Sequence, residues 1–146
     1  MLQRFGWTAY ILAMLSLRPH AFFTRLAQFP WYGNMLRTWA DGLNVGPFGK
    51  VLEVGCSAGA LSHQLAERGR RVVGIDRSAR AIRSARLGPP SGTTAAVFLL
   101  GNALALPFAN AHFDATLAAS VLNIVPERNR LVAEMARVTV PGGRVS

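Results

Sequence analysis

The chain has 146 residues, enough for one sizeable core and too few for two independent ones. Hydrophobic residues make up 51% of it and charged residues 16%, which excludes an intrinsically disordered composition. The net charge of +9 favours acidic partners in general; with Lys50 the only lysine, the excess reads as an arginine-rich coding composition and not as a phosphate-binding design.

From the N-terminus, Arg4, the apolar run Phe5 to Leu17, Arg18 and Pro19 follow the outline of a signal peptide's first two regions. No small-residue cleavage pattern follows, and the run is shorter than the roughly 20 apolar residues a bilayer span needs. Phe22, Phe23, Leu26 and Phe29 recur at three- and four-residue spacing, the pattern of a helix face that packs as core or lid; contact with a membrane surface is the lesser expectation. A further helix is expected around Met35 to Trp39, and the Gly/Pro stretch Gly42 to Gly49 reads as a linker. Residues 1–41 are thus expected to form an N-terminal helical cap, 42–49 a linker, and 50–146 the main domain.

In that domain Lys50 to Val54 is a short apolar run ending at Gly55, the signature of a buried strand followed by a tight turn. Ala58 to Arg68 reads as a helix closed by Gly69, and Arg71 to Ile75 as a second strand ending at Asp76. Ser78 is placed to cap a helix running to Leu87, and Gly88 to Gly92 ends it. Ala96 to Leu100 and Phe113 to Ala119 read as third and fourth strands, and Pro126 to Val138 as a helix with Leu131, Met135 and Val138 on one face. Strands alternate with helices, and the strands are too apolar to have a solvated face. The expected class is α/β, a doubly wound parallel sheet covered on both sides, with ligands bound beyond the carboxyl ends of the strands.

The chemistry is concentrated at those ends. Glu53-Val54-Gly55-Cys56-Ser57-Ala58-Gly59 is a small-residue turn feeding a helix N-terminus, where free amides and the helix dipole favour an anionic or polar ligand. The dinucleotide fingerprint G-x-G-x-x-G fails, because Ser57 and Ala60 stand where its second and third glycines belong. Asp76, 21 positions after Gly55, ends the second strand, where a carboxylate accepts hydrogen bonds from both ribose hydroxyls of a nucleoside.

Val51 to Gly59 together with Val73-Gly74-Ile75-Asp76 resembles motifs I and II of the class I S-adenosylmethionine-dependent methyltransferases. Gly101-Asn102-Ala103-Leu104-Ala105-Leu106-Pro107-Phe108, Phe113-Asp114 and Pro141-Gly142-Gly143-Arg144 match that family's later blocks in order and spacing. The resemblance covers about residues 35 to 146 and is nearest to the small-molecule branch that includes ubiquinone and menaquinone biosynthesis enzymes. It implies S-adenosyl-L-methionine as cofactor in a Rossmann-like sheet. Gly55, Cys56, Ser57, Ala58 and Gly59 would wrap the methionine part, Asp76 the ribose, and Asn102 with Ala103 the adenine edge. Glu53 and Arg77 are expected among the cofactor-binding residues as well, and Ser120 would close the pocket. Ser57 stands where glycine is commoner and is expected only to tighten the turn. Asn102 replaces a common Asp and keeps a carbonyl acceptor for the adenine amino group.

Catalysis in this family is chiefly alignment, and no catalytic residue is assigned. Ser120 and Asn123 follow strand four; His63 and His112 are expected to be structural, and Cys56 to be a packing residue. No metal-binding spacing is visible. Base-amino methyltransferases carry Asn/Asp-Pro-Pro-aromatic after strand four, where this chain has Ala118-Ala119-Ser120-Val121, and no thiol suits cytosine methylation, so a small organic acceptor is favoured over nucleic acid. With one cysteine, no internal disulfide forms, and the cytoplasm, with the membrane surface as a variant, is the expected compartment. Strand five is expected only at Arg144, which would leave the sheet partial, lacking its C-terminal strands, with strand four near an open edge available for self-association or a partner. The alternative function is accordingly a non-catalytic S-adenosylmethionine-binding or interaction module completed by a partner.

Overall fold

A computed structural model describes residues 19–26, 29–88, 96–119 and 121–146. The apolar run Phe5 to Leu17, most of the loop after Gly88, and Ser120 lie outside these described residues.

Two helices, α1 (Pro19–Leu26) and α2 (Pro30–Gly42), precede the sheet, each opening on a proline, whose fixed φ suits the first helical turn. Then follow β1 (Lys50–Val54), α3 (Ala60–Glu67), β2 (Arg71–Asp76), α4 (Ala79–Leu87), β3 (Val97–Leu100), β4 (Phe113–Leu117), α5 (Arg128–Val138) and β5 (Thr139–Val145). The five strands form one sheet in the order β3-β2-β1-β4-β5, and every pairing is parallel. The α/β doubly wound class expected from the alternation is the observed one. Its central strand, β1, buries four of its five residues, as a strand covered on both faces must.

Successive residues of β1 point to opposite faces, and they enter different cores. Val51 joins Tyr32, Leu36, Ala40 and Leu43 from α2 and its exit, and Leu61 and Leu65 from α3. Leu52 and Val54 join Leu131, Met135 and Val138 from α5. Gly74 on β2 admits the Phe98 ring to the first face: a Cβ there would lie 2.8 Å from Phe98 and 2.9 Å from Cys56. Phe98 in turn packs on Ile82 and Ala85 of α4. The stretch expected to be a linker is itself packed. Leu43 is buried, and the Arg70 guanidinium donates to the Leu43 and Val45 carbonyls.

Several boundaries differ from those the sequence suggests. Helix α3 begins at Ala60, because Gly59 takes a left-handed conformation (φ 81°) as its N-cap. Helix α5 begins at Arg128, two residues after Pro126. The largest correction concerns β5, which spans Thr139–Val145 and pairs with β4, so β4 does not lie beside an open edge. Between Phe113↔Thr139 and Ala115↔Arg144 the register jumps, and Pro141, Gly142 and Gly143 are taken up as a bulge. These three poor strand formers conceal the strand from any propensity reading.

Candidate functional site

The carboxyl ends of β1, β2 and β3 open on a cleft with two lobes. The larger, of about 190 Å³, lies between the end of β2 with the segment after β3 and the chain leading into α5. Its walls include Asp76, Arg77, Ser78, Asn102, Ala103, Leu104, Ile124 and Glu127. The smaller, of about 40 Å³, lies under α1 and α2 against the β1 turn and is lined by Tyr32, Glu53, Cys56, Ala58 and Ala119 among others. Phe23, Gly55 and Ser57 border both. The structure therefore brings nine of the eleven expected site residues to one cleft, while Gly59 serves as the α3 cap and Ser120 falls outside the described residues.

Asp76 is held by the backbone. Its Oδ2 accepts from the Ser57 amide at 2.9 Å and its Oδ1 from the Ser78 amide at 2.8 Å. Each oxygen has a further lone pair, so a carboxylate fixed from behind still offers two acceptors to the cleft. Ser78 caps α4 as its sequence position suggests, its Oγ accepting from the Ala81 amide at 3.2 Å.

In the β1 turn, Gly55 adopts φ 73°, and a Cβ there would fall 1.7 Å from Cγ2 of Val121. Val121 thus rests directly on the Gly55 backbone at the border of the lobes. Ser57 does more than tighten the turn: at φ 49° it occupies the left-handed region that favours glycine, a cost of about 1 kcal/mol for an L-residue.

Glu53 is 3% exposed, and Ser62 Oγ donates to its Oε2 at 2.5 Å. Burial, only partly offset by that bond, pushes its carboxyl up to about 8. It lies in a cluster with Asp76, whose charge adds to the rise. The Cys56 thiol is buried beside it and pushed up by the same desolvation, which fits a packing residue and not a nucleophile.

Asn102 uses its side-chain carbonyl locally, accepting from the Leu104 amide at 2.9 Å, so only its second lone pair and its NH₂ group face a ligand. The segment it begins is strapped to α5. Glu134 Oε2 accepts from the Leu106 amide at 2.7 Å, Arg137 donates to the Leu106 and Phe108 carbonyls at 3.0 and 2.9 Å, and Arg130 donates to the Leu104 carbonyl at 3.0 Å. The Arg137 guanidinium holds the Glu134 carboxyl down to about 2.

Neither His63 nor His112 lines the cleft. His63 is buried with Nε2 3.0 Å from the Ala85 carbonyl oxygen, and His112 stacks on Phe108 at the surface. On α4, Arg80 and Arg83 are exposed, whereas Arg86 donates to the Phe98 carbonyl at 2.8 Å. Sequence reasoning gave Phe23 only as part of a core or lid face, and missed Val121, Ile124, Val125 and Glu127 as cleft residues. The only signal of these four is position just after strand four. Among the described residues no cluster of His, Cys, Asp or Glu could hold a metal, and no helix is long and apolar enough to cross a membrane.

A parallel sheet with a small-residue turn after its central strand and a backbone-held acid after the next is the arrangement found in nucleoside-binding α/β proteins. A family model described as a methyltransferase domain matches residues 52–146. The chain belongs to that methyltransferase family. It is 34% identical over 108 residues to an uncharacterized methyltransferase of Mycobacterium leprae, covering 73% of this chain and 39% of that one. Similar values link it to a demethylmenaquinone methyltransferase of Renibacterium salmoninarum (35%, covering 75% and 44%) and a ubiquinone biosynthesis O-methyltransferase of Azoarcus sp. (38%, covering 73% and 46%). The chain thus spans less than half the length of these curated relatives. Among solved structures, the YcgJ protein of Bacillus subtilis superposes with a TM-score of 0.71 at 22% identity, covering 77% of this chain and 48% of that one, a likeness of fold. A SAM-dependent methyltransferase of Methanosarcina mazei superposes with a TM-score of 0.65 at 30% identity, covering 80% and 55%.

Proposed function

We propose that this chain binds S-adenosyl-L-methionine across the two lobes and serves methyl transfer to a small organic acceptor with an apolar body. The observation that carries the reading is Asp76, fixed by two backbone amides and presenting its remaining acceptors to the larger lobe. The residues fit the cofactor part by part. Asp76 suits the ribose hydroxyls; Ala103, Leu104, Ile124 and Val125 offer apolar walls to the adenine, with the Asn102 amide at its edge; Glu53, buried in the smaller lobe, suits a cationic amino group. When bound, the cofactor supplies a methyl group already activated on a positively charged sulfur. The chain's own work is then to bind, orient and exclude water.

Glu127 is the acidic group of the larger lobe nearest the chain leading into α5. Phe23, Val121 and Tyr32 make the approach under the N-terminal helices apolar, which supports an acceptor with a greasy ring or chain. The quinone-pathway names of two relatives point the same way.

Calorimetric titration with S-adenosylmethionine tests the reading. The intact chain is expected to bind saturably, and Asp76→Asn to weaken binding by at least about tenfold, or about 1.4 kcal/mol. A melting curve of the variant separates this loss from unfolding, since Asp76 also satisfies two amides. A folded chain that binds nothing would sink the proposal.

A further inference from the structure

We propose that Phe23 reads the charge on the ligand's sulfur and so lets the site distinguish the methyl donor from its demethylated product. This rests on the reading of the cleft as an S-adenosylmethionine site.

Connectivity fixes where the sulfur lies. In that cofactor the sulfonium is the only link between the nucleoside and the amino-acid part. With the nucleoside held by Asp76 in the larger lobe and the amino-acid part beside Glu53 in the smaller one, the sulfur must occupy the neck between them. Among the described residues three border both lobes: Gly55 and Ser57 on the sheet side, and Phe23 from α1. Gly55 brings no side chain, and Ser57 is committed to the turn, its amide donating to Asp76. Asp76 and Glu127 line the larger lobe and Glu53 the smaller, and none of the three borders both. Among the described residues, Phe23 carries the aromatic ring that borders both lobes, and this ring is placed to meet a positive sulfur.

An aromatic face attracts a cation through its quadrupole and gains strength where water is excluded. The ring is half-buried, and Phe22 packs against it in a T-shaped pair, with centroids 5.3 Å apart and planes at 83°, which limits its freedom to swing away. A neutral thioether gains nothing from the quadrupole. The donor, with its sulfonium, is therefore held more tightly than S-adenosylhomocysteine, which bears the same nucleoside and amino acid on a neutral sulfur. Such a preference would favour release of the product after each turnover.

The test is the ratio of the two dissociation constants, measured by calorimetry on the full chain and on two variants. Phe23→Leu keeps an apolar side chain and removes the ring. Pentafluorophenylalanine at position 23 keeps ring and shape but inverts the quadrupole, so it remains informative if Phe23→Leu fails to fold. Both changes are expected to shrink the preference for the sulfonium ligand by about 3- to 30-fold while moving S-adenosylhomocysteine affinity less than about twofold. Equal weakening of both ligands would make Phe23 a plain wall and overturn this proposal while leaving the cofactor site standing. Failure of the unmodified folded chain to bind either ligand would overturn the cofactor reading itself, and this inference with it.

Discussion

Glu53 and Ser57 are single residues whose environments set opposing demands on the same turn. Glu53 is buried on the central strand with a carboxyl raised to about 8 from an ordinary 4.5. Because its folded value lies above its unfolded one, its contribution to stability is fully present below about pH 4.5 and is lost as the pH rises towards 8. The span corresponds to a loss on the order of 5 kcal/mol. Glu53→Gln keeps an acceptor for Ser62 and cannot ionise, so it should flatten that part of the profile and be the more stable protein at pH 8. Urea melts at pH 5 and pH 8 measure this, and parallel slopes in both proteins would refute it. Ser57, at φ 49°, holds a left-handed conformation with a side chain attached. Ser57→Gly should relieve it and raise stability by about 0.5–1 kcal/mol, the gain being trimmed by glycine's larger unfolded entropy. A lower melting temperature in the variant would show that the Ser57 hydroxyl contributes more than the strain costs.

At the scale of elements, the segment after β3 and helix α5 behave as one unit. Glu134, Arg137 and Arg130 hold the backbone at Leu104, Leu106 and Phe108, and so shape the wall that begins at Asn102. Arg137 makes five of these side-chain contacts with carbonyls and carboxylates, counting Asn110 and both Glu134 oxygens. Arg137→Ala should cost about 1.5–3 kcal/mol, the range for hydrogen bonds to charged groups, and speed amide exchange between residues 102 and 110. Unchanged exchange there would mean the segment holds its shape alone. The Glu134 carboxyl, held at about 2, has the opposite sign to Glu53: its contribution is present above about pH 4.5 and is lost only as the pH falls towards 2. The arginine excess also acquires a use at this scale. Arg70, Arg86, Arg130 and Arg137 each donate to loop or strand carbonyls, a task for which the planar fork of guanidinium is better suited than a lysine.

For the whole molecule, the N-terminal helix α2 is part of the main core and not an appendage. Leu36 is 2% exposed in the same cluster as Val51, Leu61 and Leu65. Leu36→Ala should therefore cost about 2–4 kcal/mol in a single cooperative transition, and a separate early transition of α2 would contradict this. The same packing places α1 over the cleft, which is how Phe23, far in sequence from Asp76, comes to border both lobes.

The amino-acid sequence by itself determined the alternating α/β order, the parallel class, the turn after the first strand and the acid after the second. Short apolar runs and small-residue turns depend on local chemistry, which a sequence displays. The Ser78 cap was legible for the same reason. Only the tertiary structure decided what depends on packing between distant segments: the burial that lifts Glu53, the seat of Val121 on Gly55, the arginine straps, and the two-lobed cleft under α1. Strand β5 belongs with these, since Pro141-Gly142-Gly143 has poor strand propensity and becomes part of a strand through pairing with β4 around a bulge. Burial and pairing are properties of neighbours in space, and no window of sequence contains them.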